Sequence, residues 1–137
     1  MTETPRPSDV VLVAAGGCAG SLARAAVALL VPHPSGTWPW STVLVNVVGS
    51  FALALLLAGV AAPTAKSRRI RLLVGTGLLG GFTTFSAFAL DIGQLVDAER
   101  PGTALAYLLT SVGSVLLGAA AGLVLGRRAD QGTGACR

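Results

Sequence analysis

Charged residues are scarce in this chain: Asp, Glu, Lys and Arg make up 12% of its 137 residues, whereas 53% are hydrophobic. A helix of a soluble bundle needs a polar face toward water. The long apolar stretches of this sequence carry almost no charged face. The composition therefore argues against a soluble four-helix bundle and indicates an integral membrane protein.

Acidic residues are also missing from the centres of those stretches, since Asp91 comes near the end of the third. Proton-coupled pumps and exporters depend on a buried carboxylate inside the membrane. A nucleophile with its base and orienting acid cannot be assembled, and no nucleotide-binding loop is present. The sequence therefore predicts no enzyme. A polar but uncharged track favours passive conduction of a small ion.

Cysteine and histidine are too few to form a metal or disulfide framework. Cys18 lies in the first apolar stretch and Cys136 near the C-terminus, so the two have no evident way to meet. His33 is the only histidine and lies in a Pro-His-Pro turn. No metal-ligand spacing exists among these residues.

Four apolar stretches account for most of the chain. About 20 apolar residues are enough to cross roughly 30 Å of hydrocarbon. The sequence thus predicts an all-α membrane protein of four transmembrane helices, in one four-helix domain of residues 10–126. Residues 1–9 are predicted to be an N-terminal cytoplasmic segment and residues 127–137 a polar tail. The four stretches are residues 10–31, 40–62, 72–95 and 103–125.

Basic residues are distributed very unequally between the two sides of such a protein. Four spans place both termini and the second connection on one side, which then carries eight of the ten basic residues. Arg100 is alone on the other side, and Arg24 lies within the first helix. The positive-inside rule predicts a multi-pass protein of the cell membrane with both termini in the cytoplasm. Because the basic residues flank spans, no nucleic-acid partner is predicted. The eight are Arg6, Lys66, Arg68, Arg69, Arg71, Arg127, Arg128 and Arg137.

Small and polar residues recur every four positions within the apolar stretches. Such stripes typically let helices approach closely or form hydrogen bonds between them. Asn46 fits this interpretation less well, because a full amide at mid-depth is costly unless a polar group meets it. The stripes are Gly16, Gly20 and Arg24 in the first helix, Thr42, Asn46 and Ser50 in the second, and Tyr107, Ser111, Ser114, Gly118, Gly122 and Gly126 in the fourth.

The third stretch contains the most unusual segment, with adjacent glycines and hydroxyl residues at mid-depth. Unpaired backbone groups are expensive in hydrocarbon, so this composition predicts a deliberately interrupted helix, a common location for ion sites. Phe85 and Phe88 lie three residues apart, and aromatic rings present electropositive edges suited to an anion. Hydroxyl and amide donors likewise bind anions without a fixed charge that would retain them. The segment reads Gly80-Gly81-Phe82-Thr83-Thr84-Phe85-Ser86-Ala87-Phe88.

This segment resembles the GGxTTFSTF motif of the CrcB/Fluc fluoride channels, with Ala87 where that family often has Thr. Residues 42–51, TVLVNVVGSF, resemble the second-helix motif of the family. The run from Gly16 to Arg24 resembles its first-helix GGxxGxxxR pattern. The resemblance extends over all four helices, about residues 10–126.

The resemblance implies a protomer that works only as an antiparallel dimer with two pores. It implies a structural Na⁺ on the two-fold axis, held by the main-chain carbonyls of Gly80 and Thr83 from each subunit. It places Arg24 toward an aqueous vestibule, although a snorkelling arginine is an equally good interpretation. The implied fluoride pathway consists of Asn46, Phe85 and Phe88, with Thr42, Tyr107 and Ser111 contributing.

The function implied by the resemblance is passive export of cytoplasmic fluoride, which reduces its toxicity. Two alternatives remain open from the residues: a small four-helix drug exporter, which would require a membrane-embedded Glu, and a non-conducting accessory subunit. The unequal charge predicts insertion in one orientation. The dimer partner is therefore expected to be a homologous subunit of opposite orientation, as in the paired subunits of part of the family, with a homodimer as the alternative.

Overall fold

The computed structural model describes residues 6–60 and 64–134, and within these ranges every regular element is helical. Four of its helical spans are long and apolar enough to cross a membrane. This finding confirms the predicted all-α class and the number of spans. The spans are Pro7–Leu30, Trp40–Gly59, Ala65–Asp97 and Pro101–Arg128.

Side-chain hydrogen bonds stabilise the first turns of two helices. Asp9 accepts a hydrogen bond from the backbone N–H of Arg6 at the start of the first helix, 3.2 Å away. The side chain of Thr64 caps the helix that begins at Ala65 by accepting a hydrogen bond from the N–H of Ser67 at 3.1 Å. Backbone N–H groups in the first turn of a helix have no acceptor within the helix, and this bond supplies one. The elements are α1 (Pro7–Leu30), α2 (Trp40–Gly59), α3 (Ala65–Ile70), a π-helical segment (Arg71–Leu79), α4 (Gly80–Phe82), α5 (Ser86–Asp97) and α6 (Pro101–Gly134).

Helix α1 packs against the third span through glycines on both sides. A Cβ atom added to Gly77 would lie 2.9 Å from the Cα of Gly16, and one added to Gly81 would lie 2.5 Å from the carbonyl oxygen of Gly17. One added to Gly20 would overlap the carbonyl oxygen of Leu78. The two backbones are therefore in direct contact, which only residues without a side chain permit.

The glycines of α6 make a similar seam with α2. A Cβ on Gly118 would lie 3.2 Å from the carbonyl oxygen of Val47, and one on Gly126 would lie 2.9 Å from that of Leu55. Gly122 lies against the carbonyl of Phe51. The close-packing interpretation of these three glycines, and of Gly16 and Gly20 on α1, is confirmed.

The third span departs from helical geometry at Thr83, as its composition predicts. Helix α4 ends at Phe82, Thr83 has an extended backbone (φ −74°, ψ 156°), and α5 begins at Ser86. The side-chain methyl of Thr83 lies against Gly49 of α2, where a larger residue would not fit. We call residues 83–85 the break.

Two long-range contacts show which connections share an end of the molecule. Arg68 of α3 forms an ion pair with the buried carboxylate of Asp9 at the start of α1. At the other end, Arg100 donates to the carbonyl of Gly36 at 3.3 Å. Helix α6 continues beyond residue 126 as far as Gly134. The division into residues 1–9, 10–126 and 127–137 stays a prediction.

Candidate functional site

A cavity of about 510 Å³ lies beside the break, between α2, α5 and α6. Its walls include four residues of the predicted fluoride pathway, contributed by three different spans. They also include Gly80 and Thr83 of the predicted sodium site. The four pathway residues are Asn46, Phe85, Phe88 and Ser111.

The side chain of Asn46 pairs with the backbone of the break. Its Nδ2 donates to the carbonyl oxygen of Thr84 at 2.9 Å, and its Oδ1 accepts from the N–H of Thr84 at 2.8 Å. This two-bond contact joins α2 to the third span across 38 residues of sequence. The polar group that Asn46 needs at this depth is thus the exposed backbone of the interrupted helix.

This contact and a second hydrogen bond, from Ala87 to the side chain of Thr84, leave two carbonyl groups without their usual helical donors. In a continuous helix the N–H of Thr84 would donate to the carbonyl of Gly80, but here it donates to Asn46. The N–H of Ala87 would likewise serve the carbonyl of Thr83, but it donates to Oγ1 of Thr84 at 3.2 Å. The two carbonyls released in this way are the two predicted sodium ligands.

Thr84 is a site residue that the sequence analysis did not single out. Its backbone holds Asn46, and its hydroxyl accepts from Ala87 and contacts the hydroxyl of Ser86 at 3.2 Å. The sequence signal for this role is the spacing between Thr84 and Ala87. A threonine three residues before a backbone N–H in the first turn of a helix can accept a hydrogen bond from it, as a helix N-cap does.

Three aromatic rings follow one another from the break toward α6. The ring centroids of Phe85 and Phe88 are 5.8 Å apart, and those of Phe88 and Tyr107 are 5.4 Å apart. Phe85 is 79% exposed, whereas Tyr107 is fully buried. The rings therefore lead from the open side of the protomer into its interior.

The hydroxyl of Tyr107 donates to the carboxylate of Asp91 at 3.2 Å. The hydroxyls of Thr42 and Ser111 lie beside it. Asp91 is buried and was not predicted to be part of the site. Asp91 lies three residues after Phe88 and four before Leu95, so all three share one face of α5. This spacing is the sequence signal that could have placed Asp91 near the site.

Arg24 and Thr42 line a second cavity, of about 220 Å³, with Ser21 and Ser41. Nε of Arg24 donates to the carbonyl oxygen of Gly81 at 3.2 Å, so this arginine also bonds the backbone near the break. Thr84 lines both cavities. The break therefore separates a cavity with a positive charge from one lined by rings and uncharged donors.

Comparisons with known proteins agree on one family. The family described as CrcB-like protein, Camphor Resistance (CrcB), matches residues 11–123. The chain is 48% identical over 103 residues to the Fluoride-specific ion channel FluC 2 of Streptomyces avermitilis, over 75% of this chain and 65% of that relative. It is 44% identical to the Fluoride-specific ion channel FluC of Chelativorans sp., over 86% of this chain and 95% of the relative. The FluC protein of Rhizobium meliloti is 41% identical, over 88% and 97% respectively.

Proposed function

This chain belongs to the CrcB family, and we infer from that membership and from its site that it is a fluoride-specific ion channel. The observation that carries the inference is the cavity beside the break, where Asn46, Phe85, Phe88 and Ser111 meet. Uncharged donors and ring edges attract a small anion without holding it as tightly as an ammonium or guanidinium would.

Conduction in this channel is passive. Hydrogen fluoride crosses membranes as a neutral molecule and dissociates at cytoplasmic pH, which traps the anion inside. An inside-negative potential then drives the anion outward with about 2.3 kcal/mol per charge per 100 mV. The protein needs only a path for the anion, and we propose that it has no catalytic activity.

We propose that the released carbonyls of Gly80 and Thr83 hold a structural Na⁺. Hard, uncharged oxygen ligands suit a monovalent cation, and both carbonyls have lost their helical donors to Asn46 and Thr84. A Cβ atom added to Gly80 would meet no atom within 4 Å in the described part of the chain, so this side of the break has room for a ligand or a second subunit. The ion would supply a positive charge that joins carbonyls of two subunits.

We propose that the working unit is an antiparallel dimer with two pores. Phe85, a residue of the pathway, is 79% exposed in the protomer and lines the cavity. A second subunit would cover this ring and close the cavity. The unequal charge favours a homologous partner of opposite orientation, with both termini of this chain in the cytoplasm.

Fluoride efflux from liposomes tests the function directly. Purified protein reconstituted with its co-purified homologous subunit should release fluoride much faster than chloride and without a pH gradient, whereas the same protein alone should release little. Equal chloride flux, or strict dependence on a proton gradient, would show that the chain is another kind of transporter. No flux with either preparation would favour a non-conducting subunit.

A further inference from the structure

Two buried side-chain polar atoms make no hydrogen bond among the described residues: Oγ of Ser111 and Nε1 of Trp38. Leaving a buried donor unpaired is costly, so each such atom calls for an explanation. Ser111 already belongs to the proposed pathway. Trp38 does not, although it lies close to it.

Trp38 packs against Tyr107, the innermost ring of the site. Their ring centroids are 5.7 Å apart and the planes are nearly perpendicular, at 82°. Trp38 and Phe88 also contact the same buried cluster of Leu95, Ala104 and Tyr107. The indole therefore adjoins the row of rings that begins at the break.

The hydroxyl of Tyr107 is engaged by Asp91, so its hydrogen is not free to bind an anion while that bond lasts. The unpaired donors near Tyr107 are Ser111, one helical turn further along α6, and Trp38, from the connection between α1 and α2. An indole N–H is a donor only and carries no charge. Like the amide of Asn46 and the hydroxyl of Ser111, it is therefore an uncharged hydrogen-bond donor.

Trp38 also lies at the end of the molecule where the pathway must reach water. Gly36, two residues earlier, accepts a hydrogen bond from Arg100, and Arg100 is exposed. Asp97 and Glu99 are also exposed beside Arg100, so the charge at this end does not by itself favour an anion. What Trp38 offers here is an uncharged donor with no partner among the described residues.

We propose that the indole N–H of Trp38 is a further hydrogen-bond donor to the permeating anion, beyond Tyr107 and toward the end that carries Arg100. The inference rests on the proposed function for the identity of the anion. In this arrangement Trp38 binds the anion, whereas Tyr107, held by its hydrogen bond to Asp91, lines the path without donating to the anion.

Indole ¹⁵N–¹H NMR on the full-length protein in nanodiscs tests this binding directly. The chain has two tryptophans, and Trp40, 63% exposed, serves as the internal control. Sodium fluoride should move the Trp38 indole proton resonance downfield and leave that of Trp40 in place. Sodium chloride at the same concentration should move neither. Trp38→Phe and Trp40→Phe assign the two signals.

Liposome efflux with the same two variants tests the role in transport. Losing one hydrogen bond to an anion should slow fluoride release roughly tenfold in Trp38→Phe, whereas Trp40→Phe should stay near the wild-type rate. If wild-type protein conducts fluoride but its Trp38 resonance does not respond, the inference is wrong and the proposed function stands. If the resonance responds but the wild type reconstituted with its homologous subunit does not conduct, the site stands and the proposed function is wrong. A Trp38→Phe variant at the wild-type rate would overturn the transport role.

Discussion

Asn46 illustrates how one side chain serves two purposes at the residue scale. The family resemblance implies that it belongs to the anion pathway, and the structure places its amide against the backbone of Thr84 at 2.8–2.9 Å. Asn46 lines the cavity, and its two hydrogen bonds also keep the backbone of Thr84 in its non-helical conformation. A change at this position therefore alters both the donor and the shape of the site.

Asn46→Asp should reduce fluoride efflux by about 100-fold or more. The carboxylate cannot donate to the carbonyl of Thr84 and would repel both that oxygen and the anion. Ser50→Ala is the matched control, because Ser50 lies one turn further along α2, lines the same cavity and makes no hydrogen bond to the described part of the break. Liposome efflux should separate the two variants. Near-normal flux in Asn46→Asp would remove Asn46 from the pathway.

Phe85→Ile should also abolish most fluoride transport while the protein stays folded. The substitution keeps an apolar side chain at an exposed position but removes the electropositive ring edge. Leu90→Ile, on an exposed position of α5, controls for a change of aliphatic shape. Efflux is measured together with size-exclusion profiles of each variant. A Phe85→Ile channel that conducts at the wild-type rate would contradict the ring-edge role.

At the scale of the elements, the break is a set of redirected hydrogen bonds. The amides of Thr84 and Ala87 donate to side chains, which leaves the carbonyls of Gly80 and Thr83 available. The proposed sodium site would therefore depend on backbone geometry more than on the identity of the side chain at position 83. Conservative and backbone-breaking substitutions there should behave very differently.

Thr83→Ser should preserve sodium binding, whereas Thr83→Pro should destroy it and weaken the dimer. Serine keeps the carbonyl and the hydroxyl that donates to Leu79. Proline removes the N–H that donates to the Leu79 carbonyl at 3.0 Å. The measurement is the Tm of the purified channel with Na⁺ and after replacement by a larger organic cation. Equal Na⁺ stabilisation in both variants would argue against the carbonyl site.

The glycine seam between α2 and α6 predicts a stability difference between two substitutions in one helix. Gly122→Ala should destabilise the protein by about 1–3 kcal/mol, because its Cβ would overlap the carbonyl of Phe51. Gly113→Ala meets no atom within 4 Å in the described ranges and should be neutral or stabilising by up to about 1 kcal/mol. Thermal unfolding in detergent should rank them in this order. The reverse order would mean that the seam is not close-packed in the membrane.

At the scale of the whole molecule, charge and topology act together. The contacts of Arg68 with Asp9 and of Arg100 with Gly36 lie at opposite ends of the protomer. The end where α1 begins and α3 lies also carries seven of the ten basic residues, all within the described ranges. The positive-inside rule therefore predicts one orientation in the membrane for every copy of this chain.

Reporter fusions to either terminus should accordingly give a signal only from the cytoplasm. An antiparallel dimer then requires a homologous partner inserted the other way, and this chain expressed alone should conduct little fluoride. Co-expression with such a partner should restore efflux. Comparable reporter signals from both sides, or full activity of this chain alone, would establish a homodimer instead.

The sequence alone determined the number and approximate extent of the spans, the position of the break and the family. Hydropathy, small-residue stripes and the segment from Gly80 to Phe88 are properties of consecutive residues, and the membrane imposes them directly on the chain. The family resemblance also brought six residues into one predicted pathway. Four of them, Asn46, Phe85, Phe88 and Ser111, line one cavity, whereas Thr42 lines the second cavity and Tyr107 is buried against Phe88.

Only the tertiary structure decided which groups these residues contact. That Asn46 bonds the backbone of Thr84, that Asp91 engages Tyr107 and that Trp38 keeps an unpaired N–H all depend on how separate helices pack. The partners of Asn46 and Arg24 lie 38 and 57 residues away along the chain. No local pattern specifies such pairs, because a buried polar group takes the partner that packing brings within about 3 Å.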